Sequence, residues 1–470
     1  MRTVFTLLIF ALVVRVGVLV ADPSEHRLIN GISVSQLAEL AHDNGLDPDS
    51  YGRLALNLSR SGIYGFGGEA TGDDDPSLVK ATAFRPPLYP WLLSWLVSGD
   101  SLSGSANAIL HVVLGLIAIL LVYRTGRLLG LGRLATIPAL GVMLDPLLLR
   151  ASQLRMTETL ATTLMLLIWW SLIEWQERHQ GSAGVRNDRP LAVILGIGFV
   201  AGLAVLARPT FAPWCLFLCV GLWFWQNGRK NKSKAEPTER ASRSFVVPLV
   251  FAMGLLSAVG PWTARNYVQL GRPIWATTHG GYTLLLANNP SLYQHFANNG
   301  PARDWDAESF HRAWSHRGDS GANPREESYW FSDFPPTSSQ QPGELEDNAL
   351  AYRSAIATIS RAPFECIRAS VYRLGWFWAL WPHETGGIQR WAIAIWYSLF
   401  FGAAMIGLGQ LIMSRGGSHE TGFSKWLPGL VFVLILTLIH AFFWSNMRMR
   451  APLMPVIYLL SAIPLGRYSR

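Results

Sequence analysis

Ten apolar runs divide this chain, at residues 4–20, 104–123, 134–150, 157–175, 190–207, 209–226, 244–262, 391–413, 426–445 and 451–466. They approach or exceed the roughly 18–20 residues an α-helix needs to cross a hydrocarbon core. The pattern predicts an all-α polytopic membrane protein with about ten crossings. Half of the 470 residues are hydrophobic and only 15% are charged, which excludes an ordinary soluble enzyme.

The loops between these runs set an expected topology. Arg124, Arg127 and Arg133, then Arg178, Arg186 and Arg189, then Arg229, Lys230, Lys232, Lys234, Arg240 and Arg243 mark short basic loops. Short basic loops stay on the cytoplasmic side. The run at 229–234 is read as this topology signal and not as a nucleic-acid site. Residues 22–102 and 263–390 then form two large outer regions, and both termini lie inside. The first run is read as a retained helix; a cleaved signal peptide is the rival, and Arg15 within the run argues against it. Arg15 is expected to snorkel to the outer headgroups or to pair with another helix.

The first outer region carries the richest chemistry. Asp47 and Asp49 stand beside Tyr51, and Arg85 precedes Pro86-Pro87-Leu88-Tyr89-Pro90. Residues 34–60 read as two short amphipathic helices broken near Gly45. The Asp-Pro-Asp-Ser run also reads as a helix start, with its carboxylates as caps. Asp73, Asp74 and Asp75 lack calcium-loop spacing and read as a solvated turn. In the second region, residues 344–362 predict an amphipathic helix, and the Trp-rich stretch 367–381 an interfacial one. Cys215, Cys219 and Cys366 are too few for a disulfide framework and read as packing residues.

Charge gathers where helices reach the outer side, at Asp145, Arg150, Arg155, Glu158, Arg208, Arg265, Arg448 and Arg450. Ionisable groups at that depth are costly unless they pair or meet a ligand. The surplus of arginine suits an anionic partner, because its planar fork matches phosphate oxygens. Non-specific lipid phosphates are the simpler reading of the same surplus. Sugar transfer from a lipid phosphate would need a base for the acceptor proton and positive charge near the departing phosphate. Asp47 could supply the first, and Arg85 with Arg448 or Arg450 the second.

Six segments, in order, carry a resemblance: DPDSYGRLALNL (47–58), AFRPPLYPWLL (83–93), QLRMTETLATTLMLL (153–167), AVLARPT (204–210), PWTARNYVQLGRPIWATTHGGYTLLLANNP (261–290) and MRAPLMPVIYLLSA (449–462). Together they resemble the GT-C glycosyltransferases that use polyprenyl-phosphate sugars. The likeness is to bacterial relatives of the dolichyl-phosphate-mannose protein mannosyltransferases and of the lipid A aminoarabinose transferase. The resemblance implies Asp47, four residues before Tyr51, as catalytic carboxylate and Glu158 as its helper. It implies Tyr51, Arg85, Tyr89, Arg265, Arg448 and Arg450 as substrate contacts, the last two from Arg448-Met449-Arg450-Ala451-Pro452. Phe84 stands where the aminoarabinose transferases carry an acid, so a zinc site like theirs does not follow. No cofactor is assigned, and the reading leaves room for a divalent cation.

The resulting expectation is a GT-C-type bundle in three parts: a transmembrane module over 1–262, an outer region over 263–390 and closing helices over 391–470. It would be a multi-pass enzyme of the cytoplasmic membrane, its site facing the periplasm. It would take a polyprenyl-phosphate-linked sugar and a lipid, glycan or protein acceptor, contact membrane lipids, and bind no nucleic acid. The alternative is a non-catalytic transporter or binder of lipid-linked glycans, which should show ionisable groups at mid-membrane depth.

Overall fold

The computed structural model describes residues 2–21, 32–33, 49–67, 78–99, 101–102, 104–180, 189–230, 245–301, 305, 307–315, 343–382, 386–414 and 420–469. Helices dominate, in the order α1 (Arg2–Ala21), α2 (Tyr51–Ser61), α3 (Leu88–Ser94), α4 (Gly104–Leu128), α5 (Thr136–Leu144), α6 (Pro146–Gln153), α7 (Glu158–Gln180), α8 (Arg189–Ala207) and α9 (Ala212–Lys230). They continue with α10 (Val246–Leu270), α11 (Gly280–Ala287), α12 (Pro290–Asn299), α13 (Ala307–Ser315), α14 (Glu344–Arg361), α15 (Pro363–Phe377), α16 (Gly387–Met413), α17 (Glu420–Phe442) and α18 (Met454–Ser461). Strand pairing is confined to two-residue pieces such as Gly65–Phe66 against Lys80–Ala81.

Among the described residues, five stretches are long and apolar enough to cross a membrane: α4, α10, α16, 422–442 within α17, and 447–466, which contains α18. The pair 132–144 and 146–153 makes a sixth if it counts as one span bent by 45°. Shorter apolar stretches lie in α1 and α8. The chain is therefore a polytopic α-helical membrane protein.

Proline dictates the bend. A residue before proline is driven out of the helical region, and Asp145, before Pro146, is extended at φ −60° and ψ 121°. Its carboxylate then caps α6 by accepting from Leu148 N at 2.7 Å. The same carboxylate accepts from the hydroxyls of Tyr397 on α16 and Tyr458 on α18, so one buried acid joins three segments. Arg15 does not reach outward as a snorkelling side chain would. It is 2% exposed, and its guanidinium lies on Gly115 of α4, where a Cβ would overlap it.

Small residues set the closest helix pair. Gly198 and Gly202 of α8 face the backbone of α10 at Phe251 and Leu255, and Gly254 of α10 faces Leu195 of α8. In lipid, helices associate by such close packing, since burial from water no longer drives them together. The region between α10 and α16 has separate small cores, one around Phe310, Trp314 and Leu350, another around Phe296, Cys366 and Trp376. Buried Arg373 ties it to the membrane bundle by donating to the carbonyls of Ala287 and of Ala441 on α17, the latter at 2.7 Å. The helix expected at 344–362 appears as α14. The cysteines are free, with Cys215 and Cys366 buried in packed cores.

Gly254→Leu should force α8 and α10 apart and cost about 1–3 kcal/mol. Gly221→Leu, with nothing within 4 Å of its added Cβ, should be neutral. Thermal unfolding in detergent checks this. Equal melting temperatures for the two variants would contradict the packing argument.

Candidate functional site

Five charged side chains from four regions of the chain meet beside the N-terminus of α2. Arg85 Nη2 lies 3.0 Å from Asp49 Oδ1. Arg448 Nη2 is 4.0 Å from Asp49 Oδ2, and Arg448 Nε is 3.3 Å from Glu158 Oε1. Arg208 Nη1 lies 3.6 Å from the same Glu158 oxygen. Arg448 therefore bridges two carboxylates, and three guanidiniums face two acids. Glu158 is 1% exposed. It opens α7, where the positive end of the helix favours a carboxylate.

Local backbone rules place each member. Ser50, in the left-handed region at φ 58°, turns the chain between Asp49 and the first residue of α2. Arg208 precedes Pro209 and is extended at φ −149° and ψ 115°, which ends α8 and frees its side chain from the helix surface. Its Nη2 also contacts Met449 Sδ at 3.0 Å. Arg448 and Arg450 lie in one 3-10 helix, Met447–Leu453. Three residues per turn send side chains two apart in widely different directions. Arg448 accordingly meets the carboxylates. Arg450 turns the other way, donating to Phe377 O at 2.9 Å and Ala379 O at 2.6 Å, over the rings of Tyr397 and Phe401.

The segment carrying Arg85 is held by Arg265 of α10. Its Nη1 donates to Thr82 O at 2.7 Å and its Nη2 to Tyr64 O at 2.6 Å. Tyr64 OH in turn donates to the carbonyl of Arg85 at 3.0 Å. Arg265 thus acts on the cluster through backbone, as a brace. Tyr89 lies behind the cluster: its ring meets Tyr51 edge-on at 5.4 Å, and its hydroxyl is 2.6 Å from His111 Nε2. Burial first, then the Asp49 charge, push the Tyr51 phenol far above its ordinary range, so it stays neutral. The His279 ring meets Phe84 at 4.4 Å. Burial, followed by the Arg85 charge, lowers its pKa well below the usual histidine value and keeps it neutral.

Of the expected site residues, the structure brings Tyr51, Arg85, Glu158 and Arg448 together, with Tyr89 one ring behind. Arg265 and Arg450 it commits to backbone carbonyls. Asp47 lies outside the described residues, as does the 73–75 acid cluster. Asp49, set second to Asp47 in the sequence, takes the position facing Arg85. Arg208, counted in the sequence among the clustered charges but given no role there, joins the group, and His279, not singled out in the sequence, lies beside it; the pre-proline position of Arg208 is a usable signal. Among the described residues no group of three or more His, Cys, Asp or Glu could hold a metal ion.

Neither protein-family models nor curated proteins match this sequence. Solved structures do. The apo oligosaccharyltransferase of Archaeoglobus fulgidus superposes with a TM-score of 0.52 at 15% identity, over 97% of this chain and 50% of that one. The same enzyme tethered with an acceptor peptide containing the NVT sequon gives 0.52 at 18% identity, over 99% and 49%. The chain has the GT-C fold. It spans about half the length of that oligosaccharyltransferase. ArnT from Cupriavidus metallidurans overlaps less well, at TM-score 0.37 and 13% identity over 99% of this chain and 78% of that one.

Arg448→Gln should leave the buried Glu158 carboxylate with Arg208 as its one remaining ion-pair partner among the described residues and cost about 1–3 kcal/mol. Adding Glu158→Gln should recover part of that loss, because the under-compensated charge goes with it. Thermal unfolding of the single and double variants in detergent measures both effects.

Proposed function

We propose that this chain is a membrane glycosyltransferase that moves a sugar from a polyprenyl-phosphate donor to an acceptor hydroxyl or amine, with inversion. One observation carries the reading. Arg85, Arg208 and Arg448 converge on Asp49 and Glu158; Arg85 Nε has no hydrogen-bond acceptor among the described residues, and Arg208 Nη1 and Arg448 Nε face Glu158 as ion pairs without forming a hydrogen bond to it. Buried guanidinium N–H groups without acceptors suit an incoming phosphate. The GT-C fold supports the same class of reaction.

In this reading the acceptor atom attacks the anomeric carbon while the bond from that carbon to the phosphate oxygen breaks. The electron pair leaves with the polyprenyl phosphate, and Arg85 and Arg448 stabilise its growing charge. The acceptor proton passes to Asp47. Asp49 anchors Arg85 and Arg448, whereas Glu158 orients Arg448 and Arg208. The short basic loops support cytoplasmic termini and a site on the outer, periplasmic face of the cytoplasmic membrane. The outer region would exclude water from the sugar. The acceptor would be a lipid, a glycan or a protein.

Turnover in lipid nanodiscs tests this. A panel of polyprenyl-phosphate sugars is supplied with a cell-envelope extract, and released polyprenyl phosphate is counted. Asp47→Asn should lower release by about 10²-fold or more. Asp49→Asn should chiefly raise the donor KM, by about tenfold. Release abolished by Asp49→Asn but not by Asp47→Asn would move the base to Asp49. Donor binding without release from any donor would favour a transporter or binder.

A further inference from the structure

We propose that Glu344, in the second outer region, is a positioning residue that holds Arg85 at the phosphate; this rests on the reading of the site given above. Glu344 opens α14, 262 positions beyond the Thr82 it contacts. Its carboxylate accepts from Thr82 Oγ1 at 2.6 Å, from Ala83 N at 3.0 Å and from Thr278 Oγ1. A carboxylate with three donors on two segments is a charge-assisted junction, the strong kind of hydrogen bond. Ala83, two residues before Arg85, is fully buried.

The junction completes a cradle. Thr82 N donates to Tyr64 O at 3.0 Å, Thr278 N donates to Ala83 O at 3.0 Å, and Phe84 N donates to Thr82 Oγ1 at 2.9 Å. With Arg265 on Thr82 O and Tyr64 OH on Arg85 O, each of these backbone groups next to the arginine has a fixed partner. Glu344 is the only member supplied from α14. The helix holds its own register there: Asn348, one turn on, accepts from Gly281 N at 2.8 Å, and the next residue of that face, Tyr352, lies against Gly280. The same face therefore fixes both the Arg85 strand and the 278–281 turn bearing His279. A carboxylate serves because one group must accept from two hydroxyls and an amide at once.

The test compares wild type, Glu344→Gln, Glu344→Ala and Arg85→Ala in nanodiscs. Turnover is measured against donor and acceptor concentration, and hydrogen exchange is followed over residues 80–88. Glu344→Gln keeps one acceptor oxygen, so the donor KM should rise about tenfold and kcat should fall with it, with the acceptor KM within about twofold. Glu344→Ala should raise the donor KM further. In both, exchange over 80–88 should accelerate while peptides from α4 and α10 stay unchanged. Unaltered exchange over 80–88 in both variants overturns the proposal. So does a fall in kcat at unchanged donor KM where Arg85→Ala does raise it. An Arg85→Ala variant with the wild-type donor KM instead removes the phosphate reading itself, and exchange alone then decides whether Glu344 holds the strand.

Discussion

A buried carboxylate at the head of a 23-residue helix is what the rest of this site answers to. Glu158 has almost no exposed surface, and moving an ion out of water costs several kcal/mol unless opposite charge and hydrogen bonds replace the lost solvent. The start of α7 supplies part of that through its unpaired backbone N–H groups. Arg448 and Arg208 supply the rest. Once two guanidiniums are drawn to one acid, a third with its own partner, Arg85 with Asp49, makes a cluster with more positive than negative charge. That surplus is what an anionic headgroup would neutralise.

The arginines can reach the acid because the helices end where they do. Asp145 and Arg208 each precede a proline, and each takes the extended conformation that proline imposes on its neighbour. A side chain on an unbroken membrane helix would point into lipid or into a neighbouring helix. At a break it can point along the bundle axis, toward other helix ends. The 3-10 turn does similar work by separating Arg448 from Arg450. One goes to the carboxylates; the other holds the end of α15 through the carbonyls of Phe377 and Ala379 and lies over the Tyr397 and Phe401 rings of α16.

The 263–390 region is joined to the bundle and to the site. Arg373 fixes it to the end of α17, and α14 reaches across to the segment that carries Arg85. Arg265 grips the same loop from α10. The loop that presents Arg85 is therefore over-determined, as a segment must be if a charged group is to stay in one place without the support of its own secondary structure. Preorganisation of this kind lets a site stabilise developing charge without rearranging when the charge appears.

The sequence by itself determined the class of fold, because a membrane-spanning α-helix needs a long apolar run and that length is readable residue by residue. It also pointed to Tyr51, Arg85, Glu158 and Arg448, through their places in the motif order. It could not separate Arg448 from Arg450, or Arg85 from Arg265, since a guanidinium offers the same donors to a phosphate as to a carbonyl. Nor could it find His279 or Glu344, whose neighbours lie far away along the chain. Those assignments depend on which helix end faces which, and on the hand of a single 3-10 turn. Only the packed bundle decides them, because partner choice for a charged group is a matter of distance and burial, and neither is written in spacing alone.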